Sequence, residues 1–178
     1  QQELARPASQ DRIIVLHQLG SHGPEYSRRS SAQQKVFGPE CTDKELNHRP
    51  PQQIINAYDN SLLATDDLLA SVILQLQHLP DSAMLYVSDH GESLGENGVY
   101  LHGLPYWMAP KAQTGVPLIW WMSQSFAHNQ RLSFDCLQQQ QQQALSHDHL
   151  FHSLPTLFSR VSTEFRPELD LFAACSGR

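Results

Sequence analysis

The chain has 178 residues, 40% of them hydrophobic, which is enough for one core of ordinary size and argues against two independent domains. Its net charge of -6, with only 12 Lys plus Arg, leaves no basic stripe for nucleic acid, so nucleic acid is excluded as a partner. No apolar run approaches the roughly 18–20 residues that cross a bilayer, and residues 1–11 lack the pattern of a signal peptide. We therefore expect a soluble chain that is one domain or part of one.

Strands and helices are predicted to alternate along the chain. A β-branched run at residues 12–16 predicts a buried strand, which ends in a loop with two glycines and a proline at residues 17–24. Apolar residues at three-and-four spacing predict an amphipathic helix at residues 52–77. Two almost wholly apolar runs, at residues 83–88 and 117–122, predict further strands, the first of them central in its sheet.

The last third of the chain predicts another helix and a low-complexity segment. The helix is expected to start near Ser146, whose hydroxyl would cap its first turn, and Pro155 is expected to kink or restart it. Six consecutive glutamines at residues 138–143 are expected to form a solvated loop or helix surface. Three cysteines are too few for a thiolate zinc site, but Cys136 and Cys175 could pair and close a long loop.

The alternation of these elements predicts an α/β fold, a three-layer sandwich with a mostly parallel central sheet. Ligands of such sheets bind at the carboxyl ends of the strands. Two polar loops, at residues 17–24 and 88–98, follow predicted strands at such ends. We therefore expect the functional site to lie at these two loops.

An Asp-His pair directly follows the predicted central strand. Asp89 and His90 can turn toward one point if Gly91 frees the backbone at the strand end. Carboxylate oxygen and imidazole nitrogen together are common ligands of Zn²⁺, and open sites of this kind hold a water or substrate atom. For an isolated pair the usual explanation is simpler, with Asp89 as a turn former and His90 packed as the neutral partner of a backbone carbonyl.

The neighbours of the Asp-His pair favour a metal site over that simpler explanation. Glu92, Glu96 and His102 lie in the same glycine-punctuated segment, and His17 and His22 lie in the other strand-end loop. Each histidine alone could be a surface or hydrogen-bonded residue. Five such groups beside two parallel strand ends are hard to explain by packing.

These motifs closely resemble the lipid A phosphoethanolamine transferases, including the mobile colistin-resistance enzymes. The resemblance implies the alkaline phosphatase and sulfatase superfamily, and a reaction that passes phosphoethanolamine from phosphatidylethanolamine to a lipid A phosphate through a phosphothreonine intermediate. It covers essentially the whole chain, and the matching segments are residues 16–17, 20–24, 55–60, 89–98, 100–103 and 146–152.

The resemblance also implies roles for individual residues. Asp89 and His90 are expected to be zinc ligands. His22 and His102 are expected to lie near the transferred phosphoryl group or a second metal, and Glu92 beside the metal site as an orienting group or transient ligand. His22, His102 and Glu92 are therefore the expected catalytic residues, and zinc is the expected cofactor.

By the same resemblance, residues 1–178 correspond to the C-terminal half of a periplasmic, sulfatase-like catalytic domain. The family's threonine nucleophile, a glutamate ligand and the transmembrane helices lie ahead of any segment found here. The isolated chain is therefore expected to be inactive, and membrane association at the periplasmic face of the bacterial inner membrane is expected only through that amino-terminal region. Cys41 is expected to be a free thiol, because Arg49 stands where relatives carry its partner.

Two alternatives remain open from the sequence. One is another hydrolytic member of the superfamily, such as a sulfatase or a phosphoglycerol transferase, which would share the Asp89 and His90 chemistry. The other is a degenerate, non-catalytic module that keeps the fold and the metal. A threonine at a helix amino-terminus and preceding hydrophobic spans, upstream of this chain in its parent, would favour the transferase.

Overall fold

The structure, a computed structural model, describes residue 4, residues 10–158 and residues 162–177. The chain divides into two compact units. Residues 15–74 and 85–119 form one, here called the site unit. The described residues within 1–14, 75–84 and 120–178 form the other, here called the disulfide unit.

The longest element is helix α1, Pro51–Leu76, which confirms the helix predicted from apolar spacing. Proline suits the first turn because the N–H that it lacks would have no partner within the helix there. Ile54 and Ala57, three residues apart, are fully buried on one face of α1. Together with residues of the preceding loops they form the core of the site unit, which consists of Tyr26, Cys41, Leu46, Ile54 and Ala57.

A buried amide on the same helix holds the preceding loop in place. Asn60 accepts hydrogen bonds from the backbone N–H groups of Val36 (3.0 Å) and Phe37 (2.9 Å). Its amide nitrogen donates to the Phe37 carbonyl and to the Glu40 carboxylate, both at 2.9 Å. A fully buried amide is tolerated here because all of these polar atoms are paired.

The strands are short. Strand β1, Ala83–Val87, and strand β4, Leu118–Met122, confirm the strands predicted for the two apolar runs. Among the described residues they form a sheet of two strands, so β1 is not central in its sheet as predicted. Strands β2, Ser93–Leu94, and β3, Tyr100–Leu101, form a second sheet, which is antiparallel. The remaining helices are α2, Lys111–Thr114; α3, Gln124–Asn129; α4, Phe134–Gln139; and α5, Asp148–Leu157.

The strand predicted at residues 12–16 is wrong for the structure as described. These residues belong to no strand, and the apolar side chains of Ile13, Val15 and Leu16 are exposed. A β-branched composition favours extended backbone, but a strand also needs a neighbour that pairs its N–H and C=O groups. Among the described residues no strand pairs with this segment.

The last helix begins near Ser146 as predicted, but Ser146 does not cap it. The residue at the N-cap position of α5 is His147, so Ser146 lies one residue too early to cap the helix. The Ser146 hydroxyl instead lies 3.5 Å from a carboxylate oxygen of Asp148 and 3.3 Å from Nδ1 of His149. Pro155 stays inside α5, which continues to Leu157 rather than restarting.

The disulfide unit has a core and a covalent link of its own. The core consists of Met122, Ala127, Leu132, Leu157 and Phe172. The predicted pairing of Cys136 with Cys175 is confirmed, and it closes a loop with a sequence separation of 39 residues. Cys41 is a free, buried cysteine, as expected. The glutamine run forms the largely exposed end of α4 and the turn after it, which confirms the predicted solvated loop or helix surface.

The disulfide generates a prediction about stability. Replacing both of its cysteines, as in C136S/C175S, is expected to lower the free energy of unfolding by about 2–4 kcal/mol, because the unfolded chain regains the freedom of the loop. Urea denaturation with and without dithiothreitol measures this. The reductant should destabilise the unmodified chain and C41A alike, but not C136S/C175S; an equal effect of dithiothreitol on all three would contradict the prediction.

Candidate active site

Three histidines from separate segments of the site unit come together. One ring nitrogen from each of His22, His90 and His102 lies within 4.8 Å of the others. The rings of His90 and His102 are stacked, with centroids 3.7 Å apart, and His22 meets them edge-on at 5.7 and 4.8 Å. Among the described residues this is the one group of at least three such side chains arranged as metal ligands.

His90 is placed by a tight contact behind its loop. Gly91 donates its N–H to the carbonyl of Gln113 at 2.9 Å. A Cβ atom at Gly91 would lie 2.0 Å from the carbonyl oxygen of Ala112, so any side chain there would force the two backbones apart. The sequence pointed to Gly91 as a source of backbone freedom, whereas the structure shows that its small size is what the site requires.

His102 is placed by the antiparallel pair of strands. Leu94 pairs with Tyr100, Ser93 pairs with Leu101, and His102 follows directly. Leu101 has a φ of 63°, a left-handed conformation that is unusual for leucine. Its side chain packs against the core of the site unit, which compensates for that backbone cost.

Glu92 joins the segments that carry these histidines. Its side chain is 4% exposed, and a carboxylate buried to this extent must be hydrogen-bonded. It accepts from the backbone N–H of Gly23 at 3.2 Å, the hydroxyl of Tyr26 at 3.1 Å and Nδ1 of His102 at 3.0 Å. One carboxylate thus fixes the loop of His22 and the ring of His102.

The hydrogen bonds of the three rings determine which nitrogen carries the proton. Nδ1 of His22 lies 2.7 Å from the Gly23 carbonyl, and Nδ1 of His90 lies 3.0 Å from the Gly91 carbonyl. Nδ1 of His102 faces the Glu92 carboxylate. Since these oxygens only accept hydrogen bonds, each Nδ1 donates, and Nε2 of each neutral ring keeps a lone pair. This is the pattern of metal-binding histidines, whose other nitrogen donates to a carbonyl or carboxylate. The donor set therefore fits a divalent metal of the zinc type.

Asp89 lies at the open side of the cluster. Its side chain is 83% exposed, and one carboxylate oxygen lies 3.8 Å from Nε2 of His90. Two ligands about 2.0–2.2 Å from one tetrahedral ion are separated by about 3.4 Å, so this pair needs only a small adjustment to share an ion. The same carboxylate accepts the N–H of His90 at 3.1 Å.

Two residues singled out in the sequence are not part of the cluster. His17 is exposed and does not belong to the histidine group. Glu96 accepts the N–H of Leu94 at 2.7 Å and thereby supports the turn between β2 and β3. The cluster therefore consists of His22, His90 and His102, with Asp89 beside His90 and Glu92 beside His102.

Tyr26 is the site residue that the sequence did not reveal. Burial, and then the neighbouring Glu92 carboxylate, raise the pKa of Tyr26 far above its ordinary value, so the hydroxyl stays protonated and can donate. The ring of Tyr58 contacts it edge-on at 5.4 Å. No spacing or composition marks Tyr26, because its role depends on a glutamate 66 residues further along the chain.

The Glu92 contacts generate a second prediction. Replacing Glu92 with Gln is expected to destabilise the chain by about 1–3 kcal/mol, because three donors lose a charged, buried acceptor. Urea denaturation measures the change. Glu96→Gln is the matched control, since that exposed carboxylate accepts one backbone N–H. Equal effects of the two variants would contradict the central place of Glu92.

A third prediction concerns alkaline pH. Because the pKa of Tyr26 is raised in the folded chain, the unfolded chain releases this proton first, and stability falls as pH rises above about 10. Tyr26→Phe should reduce this loss by up to about 1.4 kcal/mol per pH unit. Urea denaturation at several pH values between about 9 and 12 tests this. The same pH slope in the variant and the unmodified chain would contradict it.

Comparison with known proteins identifies relatives of this chain. A family model described as sulfatase matches residues 1–159. Phosphoethanolamine transferase EptA of Escherichia coli K12 is 40% identical over 169 residues, which cover 93% of this chain and 31% of that protein. Phosphatidylethanolamine transferase Mcr-1 of Escherichia coli is 54% identical over 114 residues, which cover 62% of this chain and 21% of that protein. The chain thus spans less than a third of the length of these relatives.

Solved structures support the same grouping. The soluble domain of lipooligosaccharide phosphoethanolamine transferase A from Neisseria meningitidis matches with a TM-score of 0.87 and 41% identity, over 92% of this chain and 50% of that one. The periplasmic domain of phosphoethanolamine transferase EptC from Campylobacter jejuni matches with a TM-score of 0.84 and 42% identity, over 96% of this chain and 54% of that one. This likeness confirms the predicted fold class, an α/β sandwich of the sulfatase type. Within the described residues, the helices are too short or too polar to span a membrane.

Proposed function

We propose that this chain supplies part of the active site of a zinc-dependent phosphoethanolamine transferase. The premise is that the chain belongs to the sulfatase family. The donor would be phosphatidylethanolamine and the acceptor a phosphate of lipid A, at the periplasmic face of the bacterial inner membrane. Support for the general reaction comes from the relatives, which are named as phosphoethanolamine or phosphatidylethanolamine transferases. The nucleophile, proposed to be a threonine that is phosphorylated in the reaction, would come from outside the site described here.

The observation that carries the proposal is the orientation of the three imidazoles. In each ring Nδ1 donates to an oxygen of the protein, which leaves Nε2 for a metal or a phosphoryl oxygen. Asp89 and His90 would hold the zinc ion, since their ligand atoms are 3.8 Å apart and belong to adjacent residues. Bound zinc would lower the pKa of an attacking oxygen and neutralise phosphoryl charge.

His22 and His102 would act on the transferred group itself. With Nε2 free they can accept a proton, and when protonated they donate to the phosphoryl oxygens. Glu92 would not touch the substrate, because its side chain is buried behind His102. Its role would be to keep the ring of His102 in one tautomer and one orientation, as the carboxylate of a catalytic triad does for its histidine.

Zinc binding and transfer are tested separately. After dialysis against buffer with trace zinc, the unmodified chain should retain zinc, whereas Asp89→Ala and His90→Ala should lose most of it, because each removes a proposed ligand. Elemental analysis of equal protein amounts provides the measurement. His17→Ala is the matched control, since it removes an exposed histidine outside the cluster. Equal zinc in all four proteins would refute the ligand assignment.

The transfer step is tested in the longer parent protein by mass spectrometry of lipid A. Asp89→Ala, His90→Ala and His102→Ala are expected to lower the amount of phosphoethanolamine added at least tenfold, since a positioned proton-transfer group contributes about 100-fold or more. His17→Ala should leave it unchanged. If zinc is bound but the unmodified parent adds no phosphoethanolamine, the chain belongs to a non-catalytic metal-binding module instead.

A further inference from the structure

An exposed apolar turn begins three residues after His102. The side chains of Tyr106, Trp107 and Met108 are 86%, 84% and 50% exposed. The turn has a defined shape, because the carbonyl of Pro105 accepts the N–H groups of Met108 and Ala109, both at 2.9 Å. Three consecutive large apolar side chains are therefore held outward by a closed backbone rather than by an extended loop.

This turn is fixed to the histidine cluster at both of its ends. His102 precedes it and is tied to the buried Glu92. Gln113 follows the turn along the chain. Its carbonyl accepts the N–H of Gly91, and the side-chain amide of Gln113 donates to the Ser93 hydroxyl at 3.0 Å. Gln113 itself is buried. Any partner that binds the turn is consequently held close to the histidine cluster.

The charge of this region differs from that of the chain as a whole. The net charge of the chain is -6, yet residues 97–119, the last part of the site unit, include no aspartate or glutamate. Lys111 follows the turn as the first residue of α2 and is exposed. This turn has an apolar tip, a lysine follows it, and no carboxylate is near it in the sequence. Such a turn suits a phospholipid surface, whose interior is apolar and whose headgroups carry phosphates.

We propose that Tyr106, Trp107 and Met108 insert into the boundary between headgroups and acyl chains of a phospholipid bilayer, and so hold the histidine cluster at the membrane surface. Tryptophan and tyrosine are enriched at this boundary, because their rings are apolar with one polar group. The three side chains expose on the order of 500 Å², which is less than the roughly 800 Å² per partner of a stable protein interface. A lipid surface needs no such complementary area, and it is where the lipid substrates of the proposed function would lie.

This binding surface extends the expectation from the sequence, which assigned membrane association to an amino-terminal region alone. The proposed insertion rests on the proposed function in one respect: the lipid substrates of that function give the chain a reason to bind a membrane. The insertion itself requires neither metal nor transfer chemistry, so it can be tested independently of both.

The test is sedimentation of the chain with sucrose-loaded vesicles of phosphatidylethanolamine and phosphatidylglycerol, and with vesicles of phosphatidylcholine alone. W107S/M108S is expected to lower the partition coefficient at least about tenfold on both, because it removes two apolar side chains from the interface. Leu74→Ser is the matched control: Leu74 is an exposed apolar residue on α1 in the same unit, 61% exposed, and its loss should change nothing.

Tryptophan fluorescence measures how deeply Trp107 enters the bilayer. Lipids brominated on the acyl chains should quench the fluorescence of the unmodified chain, and Trp107→Phe should abolish the quenching while largely preserving sedimentation. The proposal is overturned if the unmodified chain does not sediment with either vesicle, or if W107S/M108S sediments equally well. Sedimentation that W107S/M108S keeps with the phosphatidylethanolamine vesicles but loses with phosphatidylcholine would overturn it in favour of headgroup capture at the site. Self-association that W107S/M108S abolishes, without vesicle binding, would overturn it in favour of a second copy of the chain.

Discussion

The buried carboxylate of Glu92 is the constraint on which the arrangement of the site depends. Moving a carboxylate out of water costs several kcal/mol unless its oxygens are paired. Three donors satisfy it here, and they come from a loop backbone, a core tyrosine and a histidine of the site: Gly23, Tyr26 and His102. Since each donor also belongs to a different structural feature, satisfying this one charge aligns the His22 loop, the hydrophobic core and the His102 ring together.

The surrounding backbone is rigid for reasons of packing rather than charge. Gly91 approaches Ala112 so closely that no side chain fits between them. The adjacent Ser93 is fully buried and accepts a hydrogen bond from the Gln113 amide. These contacts hold His90 from behind, while Glu92 holds His102. Two of the three imidazoles are thus oriented by different contacts, and their rings stack with centroids 3.7 Å apart.

The sequence predicted what depends on local spacing and missed what depends on distant partners. The apolar period of α1 and the apolar runs of β1 and β4 appear in the structure within a few residues of the predicted bounds. The Asp89 to His102 segment was identified because its polar residues follow a strand. The strand predicted at residues 12–16 was wrong because a strand requires a pairing partner. Tyr26 was missed because the role of its hydroxyl depends on its contact with Glu92. Resemblance to a family named the residues, but only the coordinates show that Nδ1 of each ring faces a protein oxygen.

Exposure changes in one direction across the site, and that gradient has a chemical consequence. The side chain of Glu92 is 4% exposed, those of His102 and His90 are 29% exposed, and that of Asp89 is 83% exposed. Electrostatic interactions are strongest at the buried end, where the effective dielectric constant is low, so orientation is imposed from there. At the exposed end, near Asp89, a ligand can enter or leave without first displacing buried side chains. A site that transfers a headgroup between two lipids would need both properties, because neither lipid fits an enclosed pocket while the imidazoles must keep their direction throughout. A membrane-bound turn that begins three residues after His102 would then keep the imidazoles close to the bilayer, where both lipids would reside.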